Sequence, residues 1–274
     1  MLKEVIMNQK PASKTGAEGK ASSTFQRLRI FNALMGIFHL AQGIAMVILS
    51  SDFALPITTI YLKFDPEQTA LTQNPQTIGD ITIGPMVAAF LFLSALAHLF
   101  VSTVGYGWYK RNLKSHMNPA RWYEYSLSAS LMLVIIAMLA GMYDLSSLIM
   151  VFGLNAMMIL FGMRMEVHNR DAESPDWQPF IYGCIAGIIP WITIALYLFG
   201  ASSASDTSIP AFVYGIFASI FAFFNIFALN MVLQYKRTGS WKDYLYGERV
   251  YIMLSLFAKS ALAWQVFAGT LRPM

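Results

Sequence analysis

Charge is scarce in this sequence. Asp, Glu, Lys and Arg make up 12% of its 274 residues, about half the ~25% of an ordinary soluble domain. With 56% of the residues hydrophobic, the balance excludes a typical soluble chain. Cysteine is nearly absent. Cys184 stands alone, so no disulfide can form within the chain and cysteine usage does not identify a compartment. There is no Gly-rich phosphate loop, no HExxH, and no Ser/His/Asp arrangement at a telling spacing. The expectation is a protein that is not an enzyme. Histidine is rare too. His39 and His98 have no third ligand at recognisable spacing, so no metal site is expected. The first residues, MLKEVIMNQKPASKTGAEGKASST, contain no continuous apolar core of the kind a signal peptide needs. Residues 1–24 read as a polar tail, and 25–274 as the membrane domain.

Seven apolar runs follow the tail: 30–49, 81–104, 125–142, 145–163, 180–199, 209–233 and 250–271. Each is close to the ~20 residues that cross a bilayer. The reading is an all-α multi-pass protein of the cell membrane, a bundle of seven helices surrounded by lipid. Sixteen Lys and Arg residues fall in the tail and in the loops after runs two, four and six, while only Lys63 and Arg272 lie on the other side. By the positive-inside rule the N-terminus is cytoplasmic and the C-terminus extracellular. The net charge of +4 thus calls for no nucleic-acid partner. The one long connection, 50–80, is extracellular in this reading. Its segments 57–64 and 77–84 carry β-branched and aromatic residues with Pro and Asn between them, which predicts a short β-hairpin.

Few ionisable residues interrupt the spans. Lys259 lies near the middle of the seventh, with nine uncharged residues before it and twelve after it before Arg272. At ~1.5 Å per residue its amine starts roughly 14–18 Å from either end. Such a lysine costs roughly 2.5–3.5 kcal/mol on insertion scales. By position alone, two readings stand. Lys259 either carries an aldehyde chromophore as a Schiff base, or pairs with a carboxylate or lines a water cavity. Glu124 in PARWYEYSLSAS has two readings as well: an interfacial carboxylate one turn from Arg121, or the anion that balances Lys259. Ser128 shares its face at i+4, and Ser255 lies one turn before Lys259. His39 and His98 are near mid-span in adjacent helices, where they could bound a hydrated cavity or act as helix contacts. Glu166 and His168 read as a solvated helix end. Gln42, Asn225 and Asn230 read as hydrogen-bonding contacts between helices.

The seventh-run sequence SLFAKSALAWQVFAGTLRP, the third-run ARWYEYSLSAS, His39, His98 and the long first loop resemble those of the heliorhodopsins, microbial retinal proteins of inverted topology. The resemblance runs over all seven helices. It implies all-trans retinal attached covalently to Lys259 as a protonated Schiff base, with Glu124 as counterion. Ser255 and Ser128 would hydrogen-bond near that pair, and His39 and His98 would line the cavity beside it. Asn155, Tyr125, Met158, Trp191 and Phe224 would lie along the retinal pocket. A homodimer is implied as well. Type-1 proton pumps carry an acid one turn before the lysine, where this chain has Ser255. No acid occurs from Tyr125 to Met142, and Glu124 is the one embedded carboxylate expected. The reading is a light sensor with a slow photocycle and no ion pumping, signalling to a cytoplasmic partner. The alternative is a light-gated or light-driven ion transporter using His39, His98 and Glu124 as a proton path.

Overall fold

The computed structural model describes residues 14–204 and 209–272. The chain forms α1 (Lys14–Leu49), a hairpin of β1 (Ala54–Asp65) and β2 (Ala70–Thr82), α2 (Ile83–Ser102), a short α3 (Tyr106–Lys114), α4 (Pro119–Leu139), α5 (Leu145–His168), α6 (Gln178–Ala204), α7 (Ala211–Tyr235) and α8 (Tyr244–Val266), which ends in a π-turn over Phe267–Leu271. Seven of these helices are long and apolar enough to cross a membrane; α3 is the exception. The fold is a seven-helix bundle with a two-stranded antiparallel sheet after its first helix. Of the expected tail, residues 1–13 lie outside the described residues, while 14–24 already belong to α1.

Sequential helices pack side by side, as the short connections require: α1 on α2, α4 on α5, α5 on α6 and α7 on α8. Contacts of α8 with α1 and α2 close the ring. Helix α4 is the most enclosed span. Its stretch Met132–Met138 is buried on all sides, which explains why the run there shows no amphipathic pattern. The outer faces are greasy, with Ile48, Ile149 and Leu196 all well exposed. Those faces suit lipid.

Helix starts are set by caps rather than by the onset of hydropathy. Asn118 accepts a hydrogen bond from the Arg121 amide at 3.2 Å, and Pro119 follows at N1. Asp144 caps Ser147 at 2.8 Å, and Asp243 caps Leu245 at 2.9 Å. The third and seventh spans therefore begin about six residues before the apolar runs do. This places Glu124 in the second turn of α4 and brings Glu248 inside α8. Between α4 and α5 the tight turn uses Gly141 at φ 96°, a conformation that favours glycine.

The hairpin forms where expected, but its second strand starts at Ala70 instead of Thr77. Asn74 and Pro75, read as turn residues, are in the strand, where Pro75 pairs with Ile60. A two-stranded ribbon has an open edge on each strand, so a proline need not interrupt it. The turn is at 66–69, where Asp65 Oδ1 accepts from the amides of Glu67 and Gln68. The base of the hairpin is tied to the bundle. Thr58 N donates to Tyr143 O, and Ser51 N, just before β1, donates to Leu271 O.

Candidate functional site

The inward face of α8 repeats at helical spacing: Glu248, Tyr251, Ile252, Ser255, Ala258, Lys259, Leu262 and Ala263 are buried, while Phe257 and Trp264 face outward. Lys259 therefore points into the bundle. Its Nζ donates to Glu124 Oε1 at 2.7 Å and to Ser255 Oγ at 3.0 Å. Ser94 Oγ donates to the same Glu124 oxygen at 2.7 Å. The two charged side chains are only 3% and 7% exposed. A buried pair of this kind is worth little as net stability, but breaking it by removing one partner costs about 3–5 kcal/mol. The Tyr125 ring lies 4.9 Å from Nζ and adds a cation–π contact. Arg121 does not pair with Glu124; its partners lie elsewhere.

On one side of this pair the rings of His39 and His98 stack, with centroids 5.6 Å apart and planes within 9°. His98 Nδ1 shares a hydrogen bond of 2.8 Å with Asn32 Oδ1. Neither ring nitrogen of His39 has a protein partner among the described residues. A small polar cavity of about 30 Å³ is bounded by His98, Asn32, Glu124, Tyr109, Arg121 and Glu248. That is room for about two waters.

On the other side a second cavity opens, of about 130 Å³, and Lys259 and Ser255 are at its polar end. The rest of its wall is aromatic and aliphatic, including Trp122, Tyr125, Met158, Phe224, Phe227 and Tyr251. Among the described residues, Lys259 is the only lysine in the seven membrane-crossing stretches, the first of which is Ser23–Leu49. No curated protein matches this sequence. The profile of the heliorhodopsin family does, over residues 28–271. The chain belongs to the heliorhodopsin family. It is a retinal-binding, light-sensing rhodopsin of the membrane, and retinal in such proteins is held on a lysine.

Lys259 is thus an amine in the wall of an apolar slot. A flat polyene suits walls of indole and phenyl rings, and Gly162 helps to shape them. A Cβ at Gly162 would come within 2.5 Å of the Trp122 ring, so its absence lets the indole lie across α5. Of the pocket residues expected from sequence, Tyr125, Met158 and Phe224 line the cavity together with Ser255 and Lys259. Trp191 lies behind it, with its ring centroid 5.4 Å from that of Phe224. Asn155 is buried away from the lining and donates to Ser130 Oγ at 3.0 Å. Ser128 is fully buried on the Glu124 face of α4. Trp122, Tyr251 and Phe227 were not expected. Tyr251 and Ser255, four apart on the Lys259 face, were the available signal for the second of them.

The structure corrects two expectations about the acids. Glu166 is not solvated, and Glu124 is not alone. Glu166 and Glu248 are 3% and 1% exposed, and both are bound by the Arg121 guanidinium. That guanidinium lies against the rings of Tyr251, at 3.9 Å, and Trp122, at 4.6 Å, which meet edge to face. Glu166 also accepts from Trp122 Nε1 at 2.6 Å, the Asn118 amide at 2.8 Å and Tyr244 OH at 3.1 Å. Glu248 accepts from Asn118 Nδ2 at 2.6 Å and Tyr109 OH at 3.2 Å. Asn32 Nδ2 lies 3.3 Å from the same phenol. A hydrogen-bonded chain thus runs from His98 through Asn32 and Tyr109 to Glu248. Burial and the neighbouring Glu248 carboxylate keep the Tyr109 phenol protonated, well above its ordinary range. His168, by contrast, is solvated as expected and pairs with Asp176.

Proposed function

We propose that Lys259 is the covalent attachment point of all-trans retinal and that Glu124 is the counterion of the attached nitrogen. One observation carries this reading. The buried amine contacts a buried carboxylate at 2.7 Å and stands at the head of an aromatic-lined cavity. When bound, retinal supplies absorption of visible light and a double-bond isomerisation that re-aims the N–H of its attachment nitrogen. The residues around Lys259 provide for both positions of that proton donor. Glu124 is the charged acceptor, and Ser94 donates to the same oxygen. Ser255 is a neutral one a turn away. A proton that reaches Glu124 has His98 within the same small cavity, followed by Asn32, Tyr109 and Glu248.

That relay lies on one side only, which supports a sensor without pumping. No Asp, Glu, His, Lys or Arg occurs in 40–49, 83–97, 125–139, 145–163, 180–200, 211–235 or 260–271. Beyond His39 and Lys259 themselves, these stretches cover the hairpin-side part of every span. A proton leaving the attachment nitrogen has exchange partners toward the end opposite the hairpin and none inside the spans between Lys259 and the hairpin end. Vectorial transport needs both. We take the end opposite the hairpin as cytoplasmic, from its excess of Lys and Arg. A slow change in the buried network then reaches a cytoplasmic partner, and the chain works as a homodimer in lipid.

The test is a visible spectrum of the apoprotein after addition of all-trans retinal. An absorption band forms in the wild type and is missing in Lys259→Ala. A band of equal strength in the variant would move the attachment elsewhere. In proteoliposomes, illumination leaves the external pH unchanged. A sustained light-driven pH change that an uncoupler abolishes would overturn the sensor reading in favour of a transporter.

A further inference from the structure

A cavity of about 450 Å³ opens at the end of the bundle opposite the hairpin, between the ends of α5 and α7 and the turn Gly239–Lys242. We propose that it is a binding site for a multiply charged, phosphate-type anion. Four basic side chains line it, Arg170, Lys236, Arg237 and Lys242, with His116 beside them. Only two acids do, Glu166 and Glu173, and Glu166 is already bound by Arg121. Arg170 pairs with Asp171 at 3.0 Å. Among the described residues, Lys236, Arg237 and Lys242 pair with no carboxylate. Basic loops on the cytoplasmic side of a membrane are ordinary, but a concave and stiffened basic cavity is not explained by that rule.

The walls are fixed from behind. Trp241 Nε1 donates to Asn230 Oδ1 at 2.7 Å, and its ring meets Tyr246 edge-on at 5.0 Å. Gln234 Nε2 donates to Tyr244 O at 3.3 Å, and the Tyr244 ring lies 5.2 Å from that of His116. The backbone adds a second, independent sign. Three non-glycine residues among those described have positive φ, and two of them, His116 at 54° and Arg237 at 50°, line this cavity. Arg237 follows the C-terminus of α7, where helices commonly place glycine at no steric cost. Keeping an arginine there retains a cation at a strained position, and such strain clusters at ligand sites. Glu166 and Tyr244 belong both to this wall and to the Arg121 cluster, so an anion here acts on the network that runs through Glu248 to His98. The site gives the proposed cytoplasmic signalling a place, but its binding does not depend on retinal chemistry.

The test is calorimetric titration of inorganic tripolyphosphate into the retinal-loaded protein, in the dark and at low salt, in nanodiscs of phosphatidylcholine. Saturable one-to-one binding is expected. The triple variant Lys236→Gln/Arg237→Gln/Lys242→Gln binds at least tenfold more weakly, with its visible band unchanged. The variant Lys110→Gln/Arg111→Gln/Lys114→Gln, on α3 outside the cavity, binds like the wild type. Arg237→Gly serves as a second, fold-preserving probe, unfolding at a higher temperature but binding less tightly. No binding to the wild type, or equal losses in the two triple variants, would overturn the proposal. Repeating the titration in nanodiscs with phosphatidylglycerol distinguishes the sources. Weaker binding there assigns the site to a lipid phosphate, and unchanged binding assigns it to a soluble one.

Discussion

Replacing Arg121 by methionine tests the buried ion cluster directly. The change keeps most of the side-chain stem against Trp122 and Tyr251 and removes the cation. Glu166 and Glu248 then remain buried and close together without a counter-charge. Removing one partner of a buried pair costs about 3–5 kcal/mol. In a chain of this size 1 kcal/mol moves the unfolding midpoint by roughly 2–4 °C, so the midpoint falls by about 6–20 °C. Tryptophan fluorescence during a detergent melt reads the loss and does not depend on retinal. The exposed Arg170–Asp171 pair, 48% and 80% exposed, is the control. Arg170→Met costs at most about 1 kcal/mol, because solvent screens such a pair. A third variant tests the cause. With Glu166→Gln and Glu248→Gln already in place, Arg121→Met costs less than half as much, since no carboxylate is orphaned. A midpoint for Arg121→Met within about 2 °C of the wild type, on the same scale, would refute the claim that this cation holds the two acids.

Three further outcomes are expected. Glu124→Gln shifts the absorption maximum to longer wavelength, because excitation moves positive charge away from the nitrogen that the carboxylate stabilises; an unchanged spectrum would reassign the counterion. His39→Ala and His98→Ala change the photocycle rates more than the colour, as read by flash photolysis, and unaltered kinetics in both would make them packing residues. Gly162→Ala pushes its new methyl against the Trp122 ring, which a Cβ would meet at 2.5 Å. The overpacking costs about 1–3 kcal/mol, so the melting point falls, and the visible band shifts; a wild-type melt and spectrum together would show that the indole moves aside freely.

The architecture was readable because membrane spans announce themselves by length and composition. A run of about 20 apolar residues has few alternatives, so all seven spans were countable from sequence. Their limits were less readable. Hydropathy marks where lipid begins, whereas a helix begins where its first amides are capped. Asn118 and Asp243 set those points several residues earlier than Tyr125 and Val250. For the same reason α3, with its polar YGWYKRNLK, passed for a loop. The hairpin was visible in its β-branched residues, but its turn was not. Pro75 and Asn74 are strong breakers in a wide sheet and weak ones in a ribbon with free edges.

The site divided along a similar line. Lys259 and Glu124 drew attention because each stands among apolar neighbours, where a charge is costly enough to need a reason. Glu166, Glu248 and Arg121 stand among polar residues at helix ends, and in the sequence that looks like an interface with water. Only the packing of α4, α5 and α8 around one guanidinium turns three apparently solvated charges into a buried cluster. One signal was there to be read: Glu248, Ser255 and Lys259 are spaced by seven and four residues, so they share one face of α8. If that face points inward at Lys259, it points inward one turn earlier at Ser255 and three turns earlier at Glu248 as well. A carboxylate there needs a cation, and Arg121 is the basic residue in the nearby turns of α4. The face of the helix, rather than the depth of the residue, decides which charges are buried.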